Sequence, residues 1–205
     1  DLSAIPNNRF CLPDADSAKE AEHYLDQKIA ECDSVGGVVE CVISGLPAGL
    51  GEPVFEKLDA NLAKAILSIG AVKGFEIGDG FAATKACGSE NNDEFRMDGD
   101  KIVKETNHAG GVLGGISDGS DVIFRAAFKP TPSIAKSQET VTKDGENIDL
   151  VIHGRHDPVV VPRAVVVVES MAAITAMDML LVSMTSRLDL IQLFFQVENA
   201  DDGDN

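Results

Sequence analysis

NHAGGVLGGIS, Asn107–Ser117, is the stretch that decides which fold this chain can adopt. A dinucleotide-binding βαβ unit needs GxGxxG between a strand and a helix, whereas Gly110-Gly111-Val112-Leu113-Gly114-Gly115 spaces its glycines as GGxxGG. A Rossmann site is excluded. The segment leads into Asp121–Lys129, where Val122, Phe124, Ala126 and Phe128 fall on one side and Arg125 and Lys129 on the other, the pattern of a half-buried strand. Before it, Glu94–Met97 and Lys101–Glu105 flank Asp98-Gly99 as a hairpin, and a second hairpin turns at Asp144-Gly145 into Asn147–His153.

Helices complete the pattern. Asp14–Cys32 repeats apolar residues at Ala18, Ala21, Leu25, Ile29 and Cys32, with Asp14 or Asp16 as cap and Gly36-Gly37 as terminator. The β-branched run Val38–Ser44 predicts a mostly buried strand, and GLPAGLGEP after it a loop. Pro53–Ile69 predicts a helix with Phe55, Leu58, Leu62, Ile66 and Ile69 in one stripe, and Lys73–Ala83 alternates as a strand. Pro162 opens a long helix through Met184, and Glu198–Asn205 is acidic enough to fray. Hairpins and long helices without regular βαβ alternation mean an α+β fold, antiparallel sheet packed with helices, in a single domain over residues 1–205.

Charge and cysteines narrow the function classes. With 17 basic against 34 acidic residues the net charge is −17, which repels phosphate backbones and excludes nucleic acid as a partner. Ala164–Met184 is broken by Glu169, Ser170, Thr175 and Asp178, so no membrane segment is expected, and the polar start is no signal peptide. Cys11, Cys32, Cys41 and Cys87 lack CxxC spacing, which predicts a reduced, cytoplasmic protein with Cys32 and Cys41 as buried free thiols.

An acidic protein that binds an anion must gather its few cations, and His153, Arg155, His156 and Arg163 gather within eleven residues. Lys129-Pro130-Thr131-Pro132-Ser133 adds a cation and two hydroxyls on a stiff turn. Glycines at 107–117 let backbone approach a flat or anionic ligand, and together these segments sketch a pocket for a large anion. Each also has a plain reading: a packing turn for the glycines, a solvated strand end for Lys129, a turn-forming ion pair for Asp157. The H-x-x-H-D spacing of His153, His156 and Asp157 lacks a second ligand cluster, so no metal is expected.

Ser44–Phe81, Asn107–Gly119, KPTPSI at Lys129–Ile134 and GRHDPVVVPRAVVVVESMAA at Gly154–Ala173 resemble, in order, runs of the chorismate synthase family. The resemblance implies a partial β-α-β sandwich, reduced FMN as cofactor, and 5-enolpyruvylshikimate 3-phosphate as the substrate, converted to chorismate by 1,4-elimination of phosphate. It implies flavin contacts at Gly70, Ala71, Gly114, Lys129, Pro130, Thr131, Pro132, Ser133 and Arg155, with Asp157 aiding proton removal and His108 supporting. It also implies a homotetramer whose flavin sites borrow from a neighbouring subunit. Gly70 stands where many members carry Asn, and the family's GESHG-like motif, a second histidine and arginine-rich segments are not found in these 205 residues. The chain is therefore expected to be the carboxy-terminal part of such an enzyme, inactive alone. The competing reading is a non-catalytic flavin- or anion-binding or assembly module.

Overall fold

The computed structural model describes residues 2–154 and 156–201. After a 3-10 helix Leu2–Asn7 come α1 (Ala15–Ala30), β1 (Gly37–Ile43), α2 (Leu58–Leu67), β2 (Val72–Ile77), a 3-10 helix Gly80–Lys85 and α3 (Gly88–Asn91). Then follow β3 (Phe95–Asp98), β4 (Lys101–Lys104), β5 (Val112–Leu113), β6 (Ile116–Ser117), β7 (Val122–Phe128), β8 (Ser137–Val141), β9 (Asn147–Val151), α4 (Val161–Thr185) and α5 (Leu188–Asp201). β1, β7 and β2 form a three-stranded sheet in that order, and β3–β4, β5–β6 and β8–β9 are antiparallel hairpins. This is the mixed α+β class expected.

The chain divides into two compact units, each built from three stretches. The first holds Asp1–Val39, Ile69–Gly74 and Ala126–Val168; the second holds Glu40–Ser68, Phe75–Arg125 and Glu169–Asn205.

Local chemistry accounts for the elements that match expectation. The Asp14 carboxylate accepts from the Ser17 N–H at 2.7 Å and caps α1, with Asp16 in its first turn and Lys28 in its last, both favourable to the helix dipole. β7 alternates as predicted, with Val122, Phe124, Ala126 and Phe128 buried. Asp98 pairs with Lys101 across a two-residue turn in which Gly99 takes φ +60°. In the β8–β9 hairpin, Thr142 N–H donates to the Glu146 carbonyl at 2.8 Å.

Four expectations are corrected. β1 is not mostly buried: Val39 is, but Val38 and Val42 are at least half exposed. α2 does not start at Pro53. Val54 sits at φ +68°, outside helical space, and the helix begins at Leu58, whose N–H donates to the Gly115 carbonyl at 2.8 Å. A tertiary acceptor thus replaces a side-chain cap. Phe55 is left exposed, while Leu58, Leu62 and Ile66 are fully buried. The strand over 73–83 stops at Ile77, because Gly78 and Gly80 turn to positive φ. Cys32 is exposed, having fallen beyond the end of α1 into a left-handed turn at φ +56°.

By length and composition alone α4 is long and apolar enough to cross a membrane despite its polar interruptions. Its buried residues Ala164, Val168, Ala172, Thr175, Ala176 and Met179 recur at helical spacing, the stripe of a helix packed on a protein core. α5 is helical through Asp201, and the expected fraying at 202–205 lies outside the described residues.

Candidate functional site

The first unit holds three of the predicted segments. α2 is followed by the Gly70-Ala71 turn, with Ala71 at φ +72° and open space where a Gly70 side chain would go. The Lys129 N–H donates to the Ala71 carbonyl at 2.9 Å, so a turn and a strand end 58 positions apart meet backbone to backbone. Lys129, Pro130 and Pro132 are exposed, and Thr131 and Ser133 are half-buried. The prolines stiffen the run, which bends at Pro132 with the Ile134 N–H donating to the Pro132 carbonyl at 3.1 Å and has no regular element.

Asp157 is half-buried, and its carboxylate pairs with the Arg163 guanidinium in the first turns of α4. Among the described residues the cation beside it is Arg163. Arg155 lies outside the described residues. Beside Asp157, the His156 Nε2 is out of water and without a hydrogen-bond partner among the described residues. Such an atom calls for a polar group that the described residues do not supply.

The second unit holds the glycine segment. Gly114 and Gly115 form the two-residue turn of β5–β6, at φ +61° and +88°, as the strand twist requires. A Cβ on Gly114 would meet nothing within 4 Å, so its backbone faces open space. The His108 Nδ1 is 2.7 Å from the Asp79 carboxylate, which fixes the ring and leaves Nε2 as the nitrogen turned to other partners.

Sequence reasoning missed what holds this segment in place. The Asp93 carboxylate accepts from the N–H groups of His108 and Ala109 at 2.7 and 2.9 Å and from the Thr106 hydroxyl at 2.7 Å. Lys104 Nζ lies 3.0 Å from the Asn107 amide oxygen and 3.4 and 2.7 Å from Asp93 and Asp118. Burial by itself would raise the Asp93 pKa; the Ala109, Thr106 and His108 hydrogen bonds and the Lys104 charge outweigh it and hold the group at about 2. Asp118 is lowered on the same balance, with Lys104 as its strongest partner. The one available signal was the placement of Asp93, Lys104 and Asp118 on either side of the hairpin and the glycines, which reads equally as surface charge.

Ser117 was likewise unpredicted. Its hydroxyl donates to the Pro47 carbonyl at 2.7 Å and accepts from the Leu50 N–H at 2.8 Å, so the loop over 45–53 is pinned to β6.

Comparisons with known proteins identify the family. The chorismate synthase family profile matches residues 2–181. The chain is 63% identical over 188 residues to a chorismate synthase of Lachnoclostridium phytofermentans, covering 91% of this chain and 51% of that protein. It is 62% identical over 196 residues to one from Agathobacter rectalis, covering 96% and 53%. A crystal structure of chorismate synthase superimposes with a TM-score of 0.74 at 31% identity, over 89% of this chain and 48% of that one. The chain spans about half the length of the curated relatives it matches. With that extent of match, the chain belongs to the chorismate synthase family.

Proposed function

We propose that the protein carrying this chain is a lyase that converts 5-enolpyruvylshikimate 3-phosphate to chorismate by 1,4-elimination of phosphate, and that these residues supply the flavin side of its site. The observation that carries the reading is the Lys129 N–H to Ala71 carbonyl hydrogen bond, which joins two segments assigned to the flavin. The residues suit reduced FMN: open backbone at Gly70 and Gly114, hydroxyls at Thr131 and Ser133, and an orphaned buried nitrogen on His156.

Reduced FMN, when bound, supplies an electron-rich ring to an elimination with no net redox change. The chain's own groups do the rest. Gly70, Ala71, Gly114, Pro130 and Pro132 shape the backbone walls, while Thr131 and Ser133 donate to ligand oxygens. Lys129 brings positive charge to developing anion on the ring or the leaving phosphate, and Arg155 is assigned the same task. Asp157, paired with Arg163, is the proton-handling group, and His108 supports the ring face. The parent is read as a cytoplasmic homotetramer; the four free cysteines are consistent with a reducing compartment.

Titrating this chain with FMN by quenching of flavin fluorescence, with and without the enolpyruvyl substrate, tests the assignment. Saturable binding tightened by substrate is expected, with no turnover, since the substrate-gripping arginines of the family are not in these residues. Absence of binding would remove the flavin-side assignment, and chorismate formed by this chain alone would overturn the half-site reading.

A further inference from the structure

Residues 33–36, Asp-Ser-Val-Gly, lie between the expected helix Asp14–Cys32 and the expected strand Val38–Ser44, with Gly36 as part of the helix terminator. In the first unit they touch both ligand-facing segments. The Ser34 hydroxyl donates to the Thr131 carbonyl at 2.6 Å, across 97 positions. The Val35 N–H donates to the Pro158 carbonyl at 2.8 Å, and Val35 makes a parallel bridge with Val159. Asp33 pairs with Lys136 at 2.6 Å, three residues beyond Ser133, and its other oxygen accepts from the Ser34 N–H at 2.8 Å. Gly36 packs so closely on the Phe128 carbonyl and Pro130 that a Cβ there would collide with backbone and lie 3.2 Å from the proline ring. The segment is tied to the end of α1 by the Asp33 N–H on the Lys28 carbonyl at 2.9 Å.

We propose that residues 33–36 are a positioning segment that sets the spacing between the Thr131–Ser133 hydroxyls and the His156-Asp157 pair, with the Ser34 hydroxyl as its specific contact. The inference rests on the flavin reading above. Ser34 and Gly36 meet the Lys129–Ser133 run and Val35 meets Pro158, while neither segment has a regular element to hold it. Thr131 follows Pro130 and precedes Pro132, so its backbone swings as one stiff piece; a bond to its carbonyl governs where both hydroxyls point. On the other side, the Val35–Pro158 bond adjoins Asp157 directly. A displacement of the segment would therefore change the separation of two half-sites without touching a ligand, and near-attack geometry is sensitive to shifts of that kind.

The test uses the 205-residue chain and its Ser34→Ala, Ser34→Thr and Lys136→Gln variants, each titrated with FMN beside a thermal melt. Ser34→Ala is expected to weaken FMN by about tenfold, the loss of one well-aligned contact, with Ser34→Thr within about twofold of the unsubstituted chain. Lys136→Gln should give an intermediate loss, and all three should keep a cooperative melt. Unchanged FMN affinity in Ser34→Ala would overturn the proposal. If the unsubstituted chain does not bind FMN, the flavin reading fails, and amide NMR then decides the positioning role separately. Ser34→Ala should shift the resonances of Ser133 and Ile134 and of Asp157 and Val159 together; shifts confined to residues next to 34 would overturn it.

Discussion

Lys104 Nζ and the Asp118 carboxylate lie 2.7 Å apart with 3% and 7% of their side chains exposed, an ion pair almost wholly withdrawn from water. A second carboxylate, Asp93, shares the same ammonium. Removing one partner of a buried pair leaves uncompensated charge, so Lys104→Met should cost about 3–5 kcal/mol. Removing the exposed Arg96 of the Arg96–Glu105 pair should cost no more than about 1 kcal/mol. Urea unfolding of the two variants measures the contrast; equal losses would contradict it.

Acid stability should follow Asp93. Its folded pKa of about 2 lies below the ~3.9 of an unfolded aspartate, so the unfolded chain binds more protons between those values. The stabilisation is complete above the unfolded value and is lost as pH falls through the folded one. Asp118 and Asp33, lowered in the same direction, add to the fall. Asp93→Asn should lose about 1–3 kcal/mol near neutral pH, from buried donors left without their acceptor, and should flatten the decline between roughly pH 5 and 2. Melts across that range read both effects.

Two glycines with positive φ should respond differently to alanine. At Gly78 a Cβ would run into the His108 carbonyl and lie 2.6 Å from the Gly110 nitrogen, so Gly78→Ala combines backbone strain with a clash against the segment bearing His108. At Gly114 the space is open, and Gly114→Ala carries only the left-handed strain of about 1–2 kcal/mol. Gly78→Ala should therefore lower the melting temperature clearly further. Gly114→Ala should weaken FMN out of proportion to its effect on stability, because its Cβ would stand where a ligand is assigned.

The four thiols should label in order of access. Burial, with Glu169 nearby, pushes Cys41 up to about 11, while Cys32 and Cys87 are exposed. Alkylation with iodoacetamide near pH 8, followed by mass spectrometry, should modify Cys32 and Cys87 first and Cys41 last, since the thiolate is the reactive form. Rapid labelling of Cys41 would place it in an environment other than the one described.

Much of this fold is local enough to read in advance. α1 announces itself through Asp14 and the Ala18–Leu25 spacing, β7 through strict alternation, and the hairpins at Gly99 and Gly145 through their turn residues. The start of α2 did not, because its first donor goes to Gly115, 57 positions away. Nor did the order in the loop over 45–53, which hangs on the Ser117 hydroxyl.

The same division holds for the candidate site. Residue types and their spacing were sufficient to nominate Lys129, Thr131, Ser133, Asp157 and the glycine segment, within which the family resemblance singled out Gly114, since the ability to donate, to accept or to leave a backbone bare belongs to each residue by itself. That Lys129 meets Ala71, that Asp157 pairs with Arg163, and that Asp93 and Lys104 clamp the chain at His108 were decided only in the folded protein. Each of the clamp and the Ala71 contact joins positions far apart in the chain or depends on burial to strengthen a charge, and neither distance in space nor the loss of water is written in local periodicity.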